Sequence, residues 1–274
     1  VYMGGDGTFR EVGSALIESG LADHVSMGML PTGTANDQGK SFGLEARAES
    51  LERNVSVILS RNETRLDAGK IRAFRAADSS EKQAYFFDSA GWGLSARVLA
   101  LRNEDRKKVD ALGPLKEIYR DEIVYAGAFL KTFLDSYVVN DKLSAKITAD
   151  GKEVVLDGLT DLIVKATRVY AGAWVFDRTG RHDDGQFEVV PFRGKRDWAS
   201  KAIVDLDGNL LTEEMLNAVG VEHSRPFRAS KLVMEIREPE GGAKLAAQID
   251  GEEFFAGERV EIEVIPRALR LIVP

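Results

Sequence analysis

"VYMGGDGTFREVGSALIESGLADHVSMGMLPTGTAND", residues 1–37, carries the pattern on which the fold turns. It opens with a short strand-like run, "VYM", that enters a glycine turn at once. Behind the turn, Phe9, Val12, Leu16 and Ile17 repeat at helical spacing, which predicts a helix over 8–19 that stops at Gly20. "VSMGML" then reads as a short buried strand closed by Pro31. A second helix is expected over 46–60, with Leu51, Val55, Ile58 and Leu59 on one side. Strand, helix, strand, helix in succession implies parallel pairing.

After "RNETRLDAGKI" (61–71) the rhythm changes. "AYFFDSA", "LSAKITAD", "KEVVLDG", "DLIVKAT", "GQFEVVPF", "SKLVMEI", "KLAAQID", "RVEIEVI" and "ALRLIVP" are short, β-branched or alternating, and bounded by Gly, Asp or Pro. Asp150-Gly151 between two of these runs is a two-residue hairpin signal. One long helix is expected among the strands, over 114–137, with Leu115, Ile118, Ala126, Phe129, Leu130 and Phe133 as its apolar stripe. The expected fold is therefore α/β plus all-β. An open parallel-sheet α/β domain over 1–62 precedes a larger, mostly antiparallel β-sandwich domain over 63–266, and the final strand, 267–274, returns to the first domain. The abrupt entry into a strand at Val1 suggests that residues precede it.

Bulk composition narrows the function classes. A hydrophobic fraction of 44% with 30% charged residues describes a globular chain with a real core. No apolar run approaches the ~18 residues of a membrane span, and "VYMGGDG" is not a secretory leader. Zero cysteines exclude disulfides, thiolate metal sites and a cysteine nucleophile, and suit a cytoplasmic protein. A net charge of −7 argues against nucleic acid as partner. Arg193-Gly194-Lys195-Arg196 is a local basic patch that could touch a membrane surface or be a solvated loop.

Two loops carry the chemistry. "GGDGT" (Gly4, Gly5, Asp6, Gly7, Thr8) sits where a strand ends and a helix begins, so the backbone can approach a ligand and the helix end favours an anion. Thr8 can cap the helix or reach a phosphate. Asp6 is the odd residue in an anion loop; it suits a cation, its water shell, or a hydroxyl proton. "PTGTAND" places a second glycine-threonine bend, Gly33-Thr34, after the next strand, at the sheet edge where ligands bind in open α/β folds. The continuation "QGKS" mimics a P-loop with one residue too many. That insertion turns the helix bearing Lys40 by roughly 100°, so the match is accidental and the active part is Gly33 to Asp37.

"GGDGTFREV", "PTGTANDQGKSFGL" and "RLDAG" together resemble the catalytic domain of diacylglycerol kinases and their bacterial lipid-kinase relatives, shared by sphingosine and ceramide kinases. GGDGT alone would also suit NAD kinases; the second motif belongs to the lipid-kinase branch. "FFDSAGWGLSARV", "HDDGQFEVV", "AAQIDGEEF" and "RALRLIVP" continue the resemblance, with Asp88 at a position usually Asn. The resemblance implies an ATP- and Mg²⁺-dependent phosphoryl transfer to a lipid hydroxyl. Gly4, Gly5, Asp6, Gly7, Thr8, Glu11, Gly33, Thr34, Asn36 and Asp37 would line the nucleotide site. Asp184, with oxygens at Arg181 and Gln186, would hold magnesium, and Glu252 would be the general base, with Asp6 as the other candidate. It further implies a peripheral protein working on lipid at a membrane surface from the cytoplasm, with a homodimer among the open oligomeric states. An NAD-kinase-like enzyme on a soluble acceptor, or a non-catalytic nucleotide- or lipid-binding relative, are the alternatives. His24 and His223 are isolated; His182 stands beside the Asp183-Asp184 pair, and Trp92 and Trp174 flank the implied cleft. "KATRVYAGAWVFDRTG" lacks the Asn and the glycine-rich form usual there, which bears on acceptor identity.

Overall fold

A computed structural model describes residues 1–33, 35–97, 99–100, 142–170, 174–175, 180–194, 226–238 and 244–274. The expected helix over 114–137, Thr34, His223, and Lys195 and Arg196 lie outside the described residues. In chain order the elements begin with β1 (Tyr2–Gly4), α1 (Asp6–Glu18), β2 (Ser26–Met27), β3 (Met29–Pro31), α2 (Asp37–Ser41) and α3 (Leu51–Ser60). Strands β4 (Glu63–Arg75), β5 (Ser80–Phe86), β6 (Ser89–Gly93), β7 (Leu143–Ala149), β8 (Lys152–Leu159) and β9 (Asp161–Lys165) follow. The remainder are β10 (Val169–Tyr170), β11 (Trp174–Val175), β12 (Phe187–Phe192), β13 (Phe227–Ala229), β14 (Lys231–Arg237), β15 (Ala247–Ile249), β16 (Glu252–Phe254) and β17 (Arg259–Ile272).

The architecture is α/β plus all-β. β1 and β3 pair in parallel, Tyr2 opposite Met29 and Gly4 opposite Pro31, which sets the carboxyl ends of both strands side by side. α1 starts two residues before the periodic stretch, because Gly5 is its N-cap and Asp6 sits on the positive helix end. α3, by contrast, starts late, behind a 3₁₀ turn over Ala48–Ser50, and ends on Arg61 in the left-handed region (φ 54°). "VSMGML" is split at Gly28. Its first half pairs in parallel with β17, Ser26 against Arg270, and only its second half joins β1.

Most of the remaining described residues form two antiparallel sheets. One runs β5-β4-β17-β14-β7-β8, the other β13-β12-β9-β6-β15-β16. Alternation decides which face turns inward. In β7, Leu143, Ala145, Ile147 and Ala149 are buried, and β14 contributes Leu232, Met234 and Ile236. These meet Trp92, Leu162, Val164, Phe187 and Val189 of the second sheet in a single apolar core. β6, β9 and β12 are buried at every position, including the charged residues Asp161, Lys165 and Glu188 among their apolar and small neighbours. A second core joins Phe9 of α1, Tyr2, Met27 and Met29 to Leu66, Phe87, Leu269 and Leu271. The two expected strands at the end of the chain are one, β17, bent by a bulge between Ile265 and Leu269 with Arg267 at φ 55°.

Candidate functional site

The two glycine bends face each other. A Cβ on Gly5 would stand 3.0 Å from the Gly33 Cα, and one on Gly33 would stand 2.5 Å from the Gly5 Cα. Any side chain at either position would force the loops apart, so glycine here sets their separation. Gly5 has no side-chain cap, leaving the first-turn amides of α1 without intrahelical acceptors. Gly4 is closed by the Thr8 side chain. Asn36 holds the second bend. It sits in the left-handed region (φ 52°), its Oδ1 accepts the Gly33 amide at 2.8 Å, and its Nδ2 donates to the Gly33 carbonyl.

Asp6 joins the bends. Its Oδ1 accepts the Gln38 amide at 3.1 Å from the start of α2, where Asp37 is buried. Burial, and then the nearby Asp88 carboxylate, raise the Asp6 carboxyl above its ordinary range, against the pull of the Gln38 and Asp37 amides and of Lys165. Asp88, Lys165 and Asp250 lie below. Lys165 Nζ donates to Asp88 Oδ1 at 2.8 Å and to the Val169 carbonyl at 2.6 Å; Thr167 and Ser89 hydroxyls also reach Asp88. The Val169 amide in turn donates to Ser41 Oγ of α2 at 3.0 Å. Asp250 accepts the amides of Phe87, Asp88 and Ser89 at 2.9, 2.8 and 3.0 Å. Burial, with Asp88 adding to it, pushes its carboxyl up to about 7.

Asp250 heads the turn that delivers Glu252. A Cβ on Gly7 would collide with Glu252 Oε1, so this carboxylate rests directly on the glycine loop. The Arg10 guanidinium, from the next turn of α1, pairs with Glu252 Oε2. Glu252 is about half exposed and Arg10 about one-fifth, so the pair lines an open mouth above the loops.

Asp184 stands in a separate group. Its Oδ1 accepts the Gln186 amide at 3.2 Å and its Oδ2 lies 3.8 Å from Arg228 Nη1. Arg181 pairs with Asp183 at 3.1 Å. Asp67 underlies the turn, accepting the Gly185 amide at 2.7 Å and the Arg267 amide at 2.6 Å. Burial lifts the Asp67 carboxyl; those amides lower it, and Asp184 and Asp183 lift it further. His182 meets Thr64 at 3.0 Å and packs its ring edge-on to Phe42 at the end of α2, and burial depresses its pKa. The carboxylates of Asp67, Asp183 and Asp184 are hard oxygen donors, which suits Mg²⁺. Among the described residues no three acid or imidazole side chains converge on one point, so a cation here would need main-chain oxygens and water.

Gly4, Gly5, Asp6, Gly7, Thr8, Gly33, Asn36, Asp37 and Glu252 thus cluster around one cleft, while Glu11 is exposed on the second turn of α1. Asp184, Arg181 and Gln186 form a second cluster on the turn above Asp67. Sequence reasoning gave no role to Arg10, Asp67, Lys165 or Asp250. Asp88 was visible as an acid where Asn is usual; its buried partner Lys165, 77 positions away, was not.

Residues 1–71 match the family model of the diacylglycerol kinase catalytic domain. The chain is 36% identical over 104 residues to a protein named probable lipid kinase YegS-like from Enterobacter sp. (strain 638), over 38% of this chain and 31% of that one. It is 32% identical over 115 residues to probable lipid kinase YegS from Escherichia coli O1:K1 / APEC, over 42% and 34%. The chain spans about a third of the length of the curated relatives it matches. The crystal structure of a diacylglycerol kinase from Bacillus anthracis str. Sterne superposes with a TM-score of 0.63 at 15% identity, over 99% of this chain and 75% of that one, which establishes the fold.

Proposed function

We propose that this chain carries the phosphoryl-transfer site of an ATP- and Mg²⁺-dependent lipid kinase acting on a lipid hydroxyl, such as that of diacylglycerol. The observation that carries the reading is Glu252 seated on Gly7, with Gly5 and Gly33 in contact beneath it. An acid from the β-rich part and the phosphate-type loops of the α/β part meet at one point. That is the arrangement that aligns a triphosphate with an incoming alcohol.

In this reading residues 1–62 bind nucleotide, 63–266 bind the acceptor, and 267–274 return to the first part. The uncapped amides of Gly5, Asp6 and Gly7 at the α1 end hold phosphate oxygens, Thr8 adds a hydroxyl, Gly33, Asn36 and Asp37 form the opposite wall, and Thr34 joins them in binding nucleotide as its motif implies. Asp184, with main-chain oxygens of Arg181 and Gln186, would hold Mg²⁺, and Asp67 braces that turn. The ion's contribution would be to neutralise phosphate charge. Glu252 takes the hydroxyl proton as the alcohol oxygen bonds to the terminal phosphorus, the bond to the bridging oxygen breaks, and ADP departs with its electron pair. The acceptor is reached from the cytoplasmic surface of a membrane, with the protein peripheral to it.

The test is to incubate γ-labelled ATP and Mg²⁺ with dispersed total lipid extract and the full-length protein, then identify the labelled species. A labelled phospholipid is the expected product. Label only on a soluble acceptor such as NAD would replace the reading with an NAD-kinase-like one. Mg²⁺–ATP binding with no product would leave a binding module.

A further inference from the structure

Arg10 is the residue of the mouth that the reading above leaves unused. It lies four positions after Asp6 and three after Gly7 on α1, so all three share one helix face. That face is the wall of the cleft, because Gly7 bears Glu252 and Asp6 reaches α2. Its guanidinium pairs with Glu252 Oε2, while its Nε–H is buried with no acceptor. Buried donors normally have partners, and an arginine fork offers five N–H groups suited to two oxygens at a time. A group with spare donors at the meeting point of nucleotide and alcohol is placed for a tetrahedral anion. The pair also occupies one oxygen of the carboxylate that the reaction needs free.

We propose that Arg10 is a phosphate ligand of this site, which exchanges its pairing with Glu252 for the terminal phosphoryl group of the nucleotide when nucleotide binds. The inference rests on the kinase reading and extends it to a second catalytic group. The exchange conserves charge. Arg10 leaves one anion for another, Glu252 is released to accept the alcohol proton, and the charge spreading over the phosphoryl oxygens gains a bidentate partner. The release is also ordered, since Glu252 is freed only when nucleotide is present.

The experiment compares wild type, Arg10→Ala and Arg10→Lys in label transfer from ATP to total lipid extract, with and without added guanidinium ion, alongside calorimetric titration with Mg²⁺–ATP. Arg10→Ala is expected to lose ~10³-fold or more in kcat, the lower end of what a supplied arginine contributes. Millimolar guanidinium should restore at least about tenfold, a rescue that lost packing would not permit. Arg10→Lys should fall between, because a point charge lacks the planar fork. Wild-type turnover in Arg10→Ala, higher turnover, or a loss without rescue would each overturn the proposal. Should Arg10→Ala fail to fold, Arg10→Gln is read by the same criteria. If wild type itself transfers no label, the kinase reading falls, and the titration alone decides Arg10. At least tenfold weaker Mg²⁺–ATP binding in the variant keeps it as a phosphate ligand; equal binding removes it.

Discussion

Asp150-Gly151 and Asp250-Gly251 are the same turn used in two places. Each aspartate sits at φ 47°, each glycine at positive φ, and each pair closes a two-residue hairpin, β7–β8 or β15–β16. Each carboxylate also reaches sideways to clamp a neighbouring segment. Asp150 takes the Ser230 amide and hydroxyl and the Lys231 amide; Asp250 takes the amides of Phe87, Asp88 and Ser89. Even the return bond matches, from the Asp150 amide to the Lys231 carbonyl and from the Asp250 amide to that of Ser89. Their protonation behaviour is opposite. At Asp150 burial is the largest single influence and works upward, but the Ser230 hydroxyl and the Ser230 and Lys231 amides together outweigh it and the carboxyl titrates below its usual range. At Asp250 burial dominates, Asp88 adds to it, and the carboxyl rises to about 7. Identical local geometry therefore fixes the turn, while surroundings far away in sequence decide its chemistry.

The largest expected contrast lies one residue past each turn. Glu252 and Lys152 occupy equivalent positions, yet only Glu252 stands on the glycine loop. Glu252→Gln should lower kinase turnover by ~10²–10⁴-fold with the thermal midpoint unchanged, as removal of a general base does. Lys152→Gln should change turnover less than twofold. Equal small effects at both positions would remove Glu252 from the reaction and pass the role to Asp6.

Next comes the clamp itself. Asp250→Ala strands three buried amides, each costing ~1–3 kcal/mol when unpaired, so urea denaturation should show a loss of at least ~3 kcal/mol. Asp150→Ala, whose amides can turn to water, should lose about 1 kcal/mol or less. Similar losses would mean that burial is not what separates the two turns.

The smallest effect, and the finest test, is the sign of the pH response. The Asp250 carboxyl titrates near 7 when folded and near the ordinary ~3.9 when unfolded, so the native state holds its proton more tightly. Stability from this group is present at low pH and declines as pH rises from about 4 to about 7, by up to ~1.4 kcal/mol per unit. Asp150 titrates below its unfolded value, so its contribution is present above about 4 and lost as pH falls through the folded value. Asp250→Asn should flatten the neutral side of the stability profile and Asp150→Asn the acid side. Slopes of the same sign in wild-type minus variant curves would break the comparison.

The same divide between local and distant causes explains how much the sequence disclosed. Glycine spacing is local, so GGDGT and PTGTAND announced two bends behind parallel strands, and Asp-Gly pairs announced hairpins. The contact of Gly5 with Gly33 follows from that parallel pairing and was within reach. Three things were not. The division of "VSMGML" at Gly28 depends on β17, more than 240 positions away. The joining of the last two strands depends on a left-handed arginine at 267, where a break is the default expectation for a non-glycine residue. The Asp88–Lys165 pair depends on a pocket no pattern reveals: a lysine in "LIVKAT" reads as an exposed position on a strand, yet both side chains are 3% exposed. Arg10 was hidden for the opposite reason, since a charged residue on an amphipathic helix looks like ordinary solvent-facing surface.

β17 serves both cores. It sends Val260, Ile262 and Val264 into one and Leu269 and Leu271 into the other, and pairs along its length with β4, β14 and β2. A nascent chain emerging from the ribosome can close neither layer before residues 259–272 have cleared the exit tunnel. Folding is thus governed by very distant contacts, which are slow to form. Until then the apolar faces of β4 and α1 stay uncovered, a period in which a holding chaperone would have most to do.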